Sequence, residues 1–107
     1  MNFSDLGKMK EMMSQAREMQ AQMEQKLAET IVEAETGGGM VKVRMNGKKE
    51  VLRLTIEPTA LGATTGDIEL LEDLIAAAVN EAGRRVDETV KSSVSGMLGG
   101  LDLPGLG

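Results

Sequence analysis

Thr36-Gly37-Gly38-Gly39-Met40-Val41-Lys42-Val43-Arg44-Met45-Asn46-Gly47 is the stretch on which the fold turns. Val41, Val43 and Met45 alternate with Lys42 and Arg44, the period of a strand with one buried and one wet face. Three glycines precede it and Asn-Gly follows it, and both are turn chemistry. A short strand between two tight turns is the middle of a meander. The strand before it is expected from about Thr30 to Thr36, with Val32, Ala34 and Thr36 facing inward and Glu33 and Glu35 outward. The strand after it is expected from about Val51 to Glu57, with Leu52, Leu54 and Ile56 alternating against Arg53, Thr55 and Glu57. Pro58 stops it, because proline cannot donate to a ladder.

Parity sets the register. Buried positions are odd-numbered in the central strand and even-numbered in its neighbours, and opposed residues share a face, so each loop must hold an even number of residues. The first hairpin, turning at Gly38-Gly39, is expected to pair Ala34 with Val43, Glu35 with Lys42 and Glu33 with Arg44. The last two are opposite charges on the wet face and are expected to neutralise one another. The smallest solution at Asn46-Gly47 is a two-residue type I′ turn, pairing Met45 with Lys48 and Val41 with Leu52.

Two helices flank this meander. From about Ser4 to Leu27, the residues Leu6, Met9, Met13, Ala16, Met23 and Leu27 recur in steps of three and four, with Gln20 in the remaining slot and Met12 and Met19 widening the stripe. Thr59 to Gly66 reads as a loop, in which Thr64, Thr65 or Asp67 can cap the second helix. That helix is expected from about Asp67 to Ser95, with Ile68, Leu71, Ile75, Ala78, Val79, Ala82, Val86 and Val90 in one arc. At ~1.5 Å per residue it is roughly 40 Å long, more than a three-stranded sheet can cover. The fold class is therefore α+β: α-β-β-β-α, a three-stranded antiparallel meander with two long helices. Residues 1–95 form one domain, and 96–107 read as a flexible Gly/Leu-rich tail. Apolar stripes that outrun the sheet imply self-association, most simply a homodimer.

Composition narrows the function. The 107 residues hold no cysteine, no histidine and one aromatic, Phe3, beside nine methionines. Disulfides, thiol nucleophiles, the usual zinc ligands and the usual proton shuttle are absent from the inventory. One aromatic ring cannot build a stacking platform for single strands. No signal-peptide pattern opens the chain and no apolar run approaches the ~20 residues of a membrane span, so a cytoplasmic protein with no membrane partner is expected. Each carboxylate has a structural explanation as helix surface, dipole partner or cross-strand pair, so no catalytic residue, cofactor, metal site or small-molecule substrate is expected. Gly37-Gly38-Gly39 joins strand to strand, whereas phosphate loops lead from a strand into a helix. The methionines at helical spacing read as a helix interface rather than a soft-metal site.

The basic residues form a pattern with two readings. Lys10 and Arg17 share one flank of the first helix's apolar stripe, and Lys8 and Lys26 lie on the other. On the second helix Arg84 and Lys91 share an outward face, with Arg85 at the edge of the buried arc. Such residues ordinarily snorkel over apolar neighbours or suit the helix dipole; the second reading is a phosphate-contacting surface. The net charge of −5, from 12 Lys+Arg and 17 Asp+Glu, opposes non-specific polyanion binding.

The run Gly37 to Gly47, the alternating strand ending Ile56-Glu57-Pro58, and the segment Leu71-Glu72-Asp73-Leu74-Ile75-Ala76-Ala77-Ala78-Val79-Asn80-Glu81-Ala82 together resemble the signature of the YbaB/EbfC family of bacterial nucleoid-associated proteins. The resemblance covers nearly the whole chain. It implies a homodimer whose helices project as arms, which binds duplex DNA, acts in the nucleoid on its organisation and on gene expression, and catalyses nothing. It implies that DNA is contacted from the helical arms, where Lys8, Lys10, Arg17, Lys26, Arg84, Arg85 and Lys91 stand here. The alternative is a protein-interaction module in which the Met-rich helices hold a partner and DNA contact is incidental.

Overall fold

The computed structural model describes residues 3–98. Its elements run α1 (Phe3–Glu29), β1 (Ile31–Thr36), β2 (Val41–Asn46), β3 (Val51–Ile56), α2 (Pro58–Ala63) and α3 (Ile68–Leu98). The strands form one antiparallel sheet in the order β1-β2-β3, the expected meander. The core lies where α3 crosses it: Val32, Ala34, Val41, Val43 and Met45 pack on Ala78, Ala82 and Val86. Alanine at 78 and 82 lets the helix axis approach the sheet closely. Thr36 Oγ1 donates to the Leu74 carbonyl at 2.7 Å and pins the same seam.

The first hairpin has the expected register, with Glu33 opposite Arg44, Ala34 opposite Val43 and Glu35 opposite Lys42. Gly37, Gly38 and Gly39 have φ of 64, 69 and 95°, a left-handed run in which a Cβ would be strained at each step. The expected neutralisation across this ladder is not made. Lys42 Nζ instead reaches Glu57 Oε1 at 3.4 Å. Lys42 faces Thr55, so Glu57 is its diagonal neighbour on the same face, within reach of a long side chain.

The second hairpin departs from expectation. Val41 pairs with Ile56 rather than Leu52, and Met45 pairs with Val51 after a bulge between Arg44 and Met45. The displacement of the main register is even, so the faces are kept, but the turn is longer than a type I′ pair. Gly47 explains the change: its N–H donates to the Leu27 carbonyl of α1 at 2.8 Å. Asn46 then builds the loop with its side chain, Oδ1 accepting from the N–H groups of Lys48 (3.0 Å) and Glu50 (3.1 Å). Its Nδ2 donates to Glu50 Oε1 at 3.0 Å. Asn46 is buried, so Asn46→Ala strands two N–H groups in the loop. Thermal denaturation should show a loss of about 2 kcal/mol, whereas Lys48→Ala, on an exposed side chain of the same loop, should change stability by less than about 0.5 kcal/mol.

Two further expectations are corrected. The segment read as a loop contains α2, which starts at Pro58 in the first turn, where its missing N–H costs nothing. The proline that ends β3 also starts this helix. Ala60 is buried, and Thr64 Oγ1 donates back to its carbonyl at 2.6 Å. Asp67 provides the cap of α3, its Oδ1 accepting from Leu70 N–H at 2.9 Å. Second, β3 is not covered. Leu52 is 49% and Leu54 38% exposed, because α3 lies over β1 and β2. α3 continues through Leu98, beyond the expected end at Ser95; the rest of the tail lies outside the described residues.

Candidate nucleic-acid interface

α1 is a 27-residue helix without one buried side chain. Only Leu27 and the following Thr30 are half-covered where the helix meets the sheet. Its stripe of Leu6, Met9, Met13 and Met23 is open to solvent. The helix is thus an arm about 40 Å long, joined to the body at its C-terminal end. Most helical stability in proteins comes from packing of an apolar face, and the apolar face of this arm is left open for a further surface.

Lys8, Lys10, Arg17 and Lys26 all lie on this arm with exposed side chains. Among the described residues none of them is in an ion pair. Their charges are available, but Asp5, Glu11, Glu18, Glu24 and Glu29 share the helix, so any attraction to phosphate is local to the flanks.

The α3 cations fall into two groups. Arg84 donates through Nε and Nη2 to Glu81 Oε2, at 3.1 and 2.7 Å. Arg85 lies 3.5 Å from Glu81 Oε1 and also donates to the Glu33 carbonyl on the free edge of β1. The hydrogen bond and charge of Arg84, with a smaller contribution from Arg85, hold the Glu81 carboxyl below its ordinary value. This exposed brace is therefore complete at neutral pH and is lost only as pH falls through that lowered value. Both arginines are occupied in it. Glu81, Arg84 and Arg85 stand three and four apart, so the spacing alone could have shown the competition. Lys91 is exposed and, among the described residues, free of ion pairs.

Five basic residues outside the helices complete the surface: Lys42, Arg44, Lys48, Lys49 and Arg53. Lys42, Arg44 and Arg53 line a half-open cavity of about 380 Å³ on the helix-free face of the sheet, with Arg85, Glu33 and Glu35. Arg44 faces Arg53 directly, an unfavourable cross-strand pair. The carboxylates of Glu33 and Glu35, together with Glu57 on Lys42 and Glu81 on Arg85, offset the four cations, so this face attracts no polyanion as a whole. Lys48 and Lys49 instead join Lys91 beside the C-terminal turn of α1. No periodicity marks that grouping, since loop residues have none.

The geometry is that of an elongated arm and a small sheet-helix body. The model of the YbaB/EbfC DNA-binding family matches residues 6–101. The chain belongs to this family. Among its relatives, a nucleoid-associated protein of Acidobacterium capsulatum is 62% identical over 100 residues, covering 91% of this chain and 93% of the relative. One from Koribacter versatilis is 47% identical over 95 residues, covering 89% and 92%. The crystal structure of an uncharacterized Helicobacter pylori protein superposes with a TM-score of 0.66 at 31% identity, covering 92% of this chain and 98% of that one. The likeness to YbaB/EbfC proteins therefore takes in α1, the sheet and α3 alike. No described helix is long and apolar enough to cross a membrane.

Proposed function

We propose that this YbaB/EbfC protein is a non-catalytic homodimer of the bacterial nucleoid. It holds duplex DNA through phosphate contacts from the basic flanks of its helices and so affects nucleoid organisation and gene expression. The observation that carries the reading is α1, an arm with no buried side chain in a member of a DNA-binding family. Lys8, Lys10, Arg17 and Lys26, which form no ion pair among the described residues, are the strongest candidates on it. Lys91 joins them from α3, while Arg84 and Arg85 contribute less because Glu81 already binds them.

Homodimerism is supported by what one chain leaves open. The accessible surface of 8186 Å² exceeds by roughly 2,400 Å² that of a compact monomer of this mass. Obligate interfaces bury about 2,000–5,000 Å² summed over both partners, or roughly 1,000–2,500 Å² from each, which an excess of this size on one chain can supply. The open surface includes the methionine stripe of α1 and the apolar face of β3. A second copy supplies the same surfaces, which is what a two-fold seam requires.

Two measurements test the reading. Sedimentation equilibrium should give twice the chain mass; a monomer at micromolar concentration contradicts the dimer. Electrophoretic shift of a random-sequence duplex should show binding that weakens steeply as salt rises, with a log–log slope of about −0.9 per phosphate contact. Salt-independent binding, or none at low salt, rules out the phosphate mechanism.

A further inference from the structure

The notch where the last turn of α1, the β2–β3 loop and α3 meet gathers three lysines from two distant stretches of chain. It is a cavity of about 390 Å³ whose lining includes the apolar Leu27 and Val86, the three lysines Lys48, Lys49 and Lys91, and a single acidic residue, Asp87. Lys49 Nζ lies 2.9 Å from Asp87 Oδ1. Lys48 and Lys91 have no ion-pair partner among the described residues. The notch is thus cationic in a chain whose net charge is −5.

A lysine stands at the strained position of this loop. Lys49 has φ of 62°, the one positive value at a non-glycine among the described residues. Glycine or asparagine occupies that region with little strain and lysine does not. Asn46 holds the loop from below through both of its hydrogen bonds to backbone N–H groups. The strained position therefore carries an ammonium group over the notch where an uncharged residue would fit more easily.

We propose that this notch is a phosphate-contact site that takes a phosphodiester of the DNA backbone between Lys48 and Lys91, while Asp87 holds Lys49 in reserve. The inference rests on the DNA-binding reading above and extends the interface from the helical arm to a loop. The excess of cations selects an anion over a neutral or basic partner, the DNA-binding reading makes that anion a backbone phosphate, and the apolar lining suits the sugar edge beside it. Asp87 acts as a competitor: while it pairs with Lys49, one ammonium is withheld from the DNA.

Fluorescence anisotropy with a labelled random-sequence duplex, repeated across a salt series, tests the site on the full chain. Lys48→Gln/Lys91→Gln should reduce the log–log salt slope by about two per engaged protomer. Its affinity should fall on the order of tenfold or more near 0.1 M salt. Asp87→Asn releases Lys49 and should tighten binding by about threefold or more. Glu88→Gln makes the same change of charge one residue along and should gain less. Sedimentation should give the wild-type mass for all variants. A double variant that binds as the wild type does, or Asp87→Asn no tighter than Glu88→Gln, overturns the notch alone. Loss of the dimer in the double variant also overturns it, because the notch would then be a seam between copies. A wild-type chain that binds no duplex at low salt overturns the DNA reading and this inference with it.

Discussion

Gly47→Ala should lower the melting temperature by roughly 10–20 °C at fixed protein concentration. A Cβ at position 47 would stand 2.6 Å from the Leu27 carbonyl oxygen and 3.1 Å from its Cα. These are backbone atoms in the last turn of α1, so no rotamer change relieves the overlap. Either the loop moves away from the helix or the helix moves away from the loop, and both break the 2.8 Å hydrogen bond from Gly47 N–H. Overpacking of this kind costs about 1–3 kcal/mol and the lost hydrogen bond about 1 kcal/mol more. Because this is the main junction of α1 with the body, hydrogen exchange along α1 should accelerate more than in the sheet. Gly83→Ala is the matched control, since its Cβ meets nothing within 4 Å. In the middle of α3 it should stabilise by about 1 kcal/mol. Equal melting temperatures for the two variants would show that the α1 junction is not under the constraint described.

Reversing the charge of the arm should have the largest effect on DNA. Lys10→Glu/Arg17→Glu replaces two cations on one flank of α1 by carboxylates, four changes in a dimer. Each lost contact removes about 0.9 from the log–log salt slope, and each new carboxylate repels a neighbouring phosphate. Affinity near 0.1 M salt should fall by about two orders of magnitude or more. The loss should be the same for unrelated duplex sequences, because phosphates carry no sequence information. Both side chains are exposed and among the described residues neither is in an ion pair, so the helical circular dichroism should be unchanged. A loss confined to one sequence would point to base contacts instead. Binding at wild-type strength would favour the protein-interaction alternative, in which a partner captured by pull-down survives nuclease treatment.

Part of this molecule was legible because local rules decide it. The alternation in Val41–Met45 and in Val32–Thr36, with the glycine run between, was enough to place β1 against β2 in the observed register. Thr64, Thr65 and Asp67 before an apolar arc marked the start of α3 by ordinary capping chemistry, and the structure selects Asp67 among them. The arm cations could be named from helical spacing alone. The second hairpin could not be read this way. Asn46-Gly47 is the usual dipeptide of a type I′ turn, but here Gly47 serves a contact with Leu27 across the fold, and the left-handed residue is Lys49. Sequence propensity describes a turn in isolation, and a tertiary hydrogen bond of ordinary strength is enough to shift it. The same limit hid α2, whose Thr59, Gly62 and Thr64 look like loop residues until Ala60 is buried.

The candidate site divides along the same line. That charge lies on exposed helix flanks follows from the sequence, because periodicity separates wet from dry faces. Which charges remain free does not. Arg84 and Arg85 are held by Glu81, Lys42 is taken by Glu57 rather than Glu35, and Lys49 is held by Asp87. These choices depend on distances of a few ångströms between elements whose separation no local pattern encodes. The sequence by itself determined the order of the two long helices and three strands, the meander, the alternation along each strand and the family resemblance. The tertiary structure decided that α3 covers β1 and β2 but leaves β3 open, that α1 stands off as an arm, and that Lys48 and Lys49 meet Lys91. The reason is that burial and ion pairing are properties of packed neighbours, and the neighbours here are brought together only by the closing of α3 on the sheet and of α1 on the Gly47 loop.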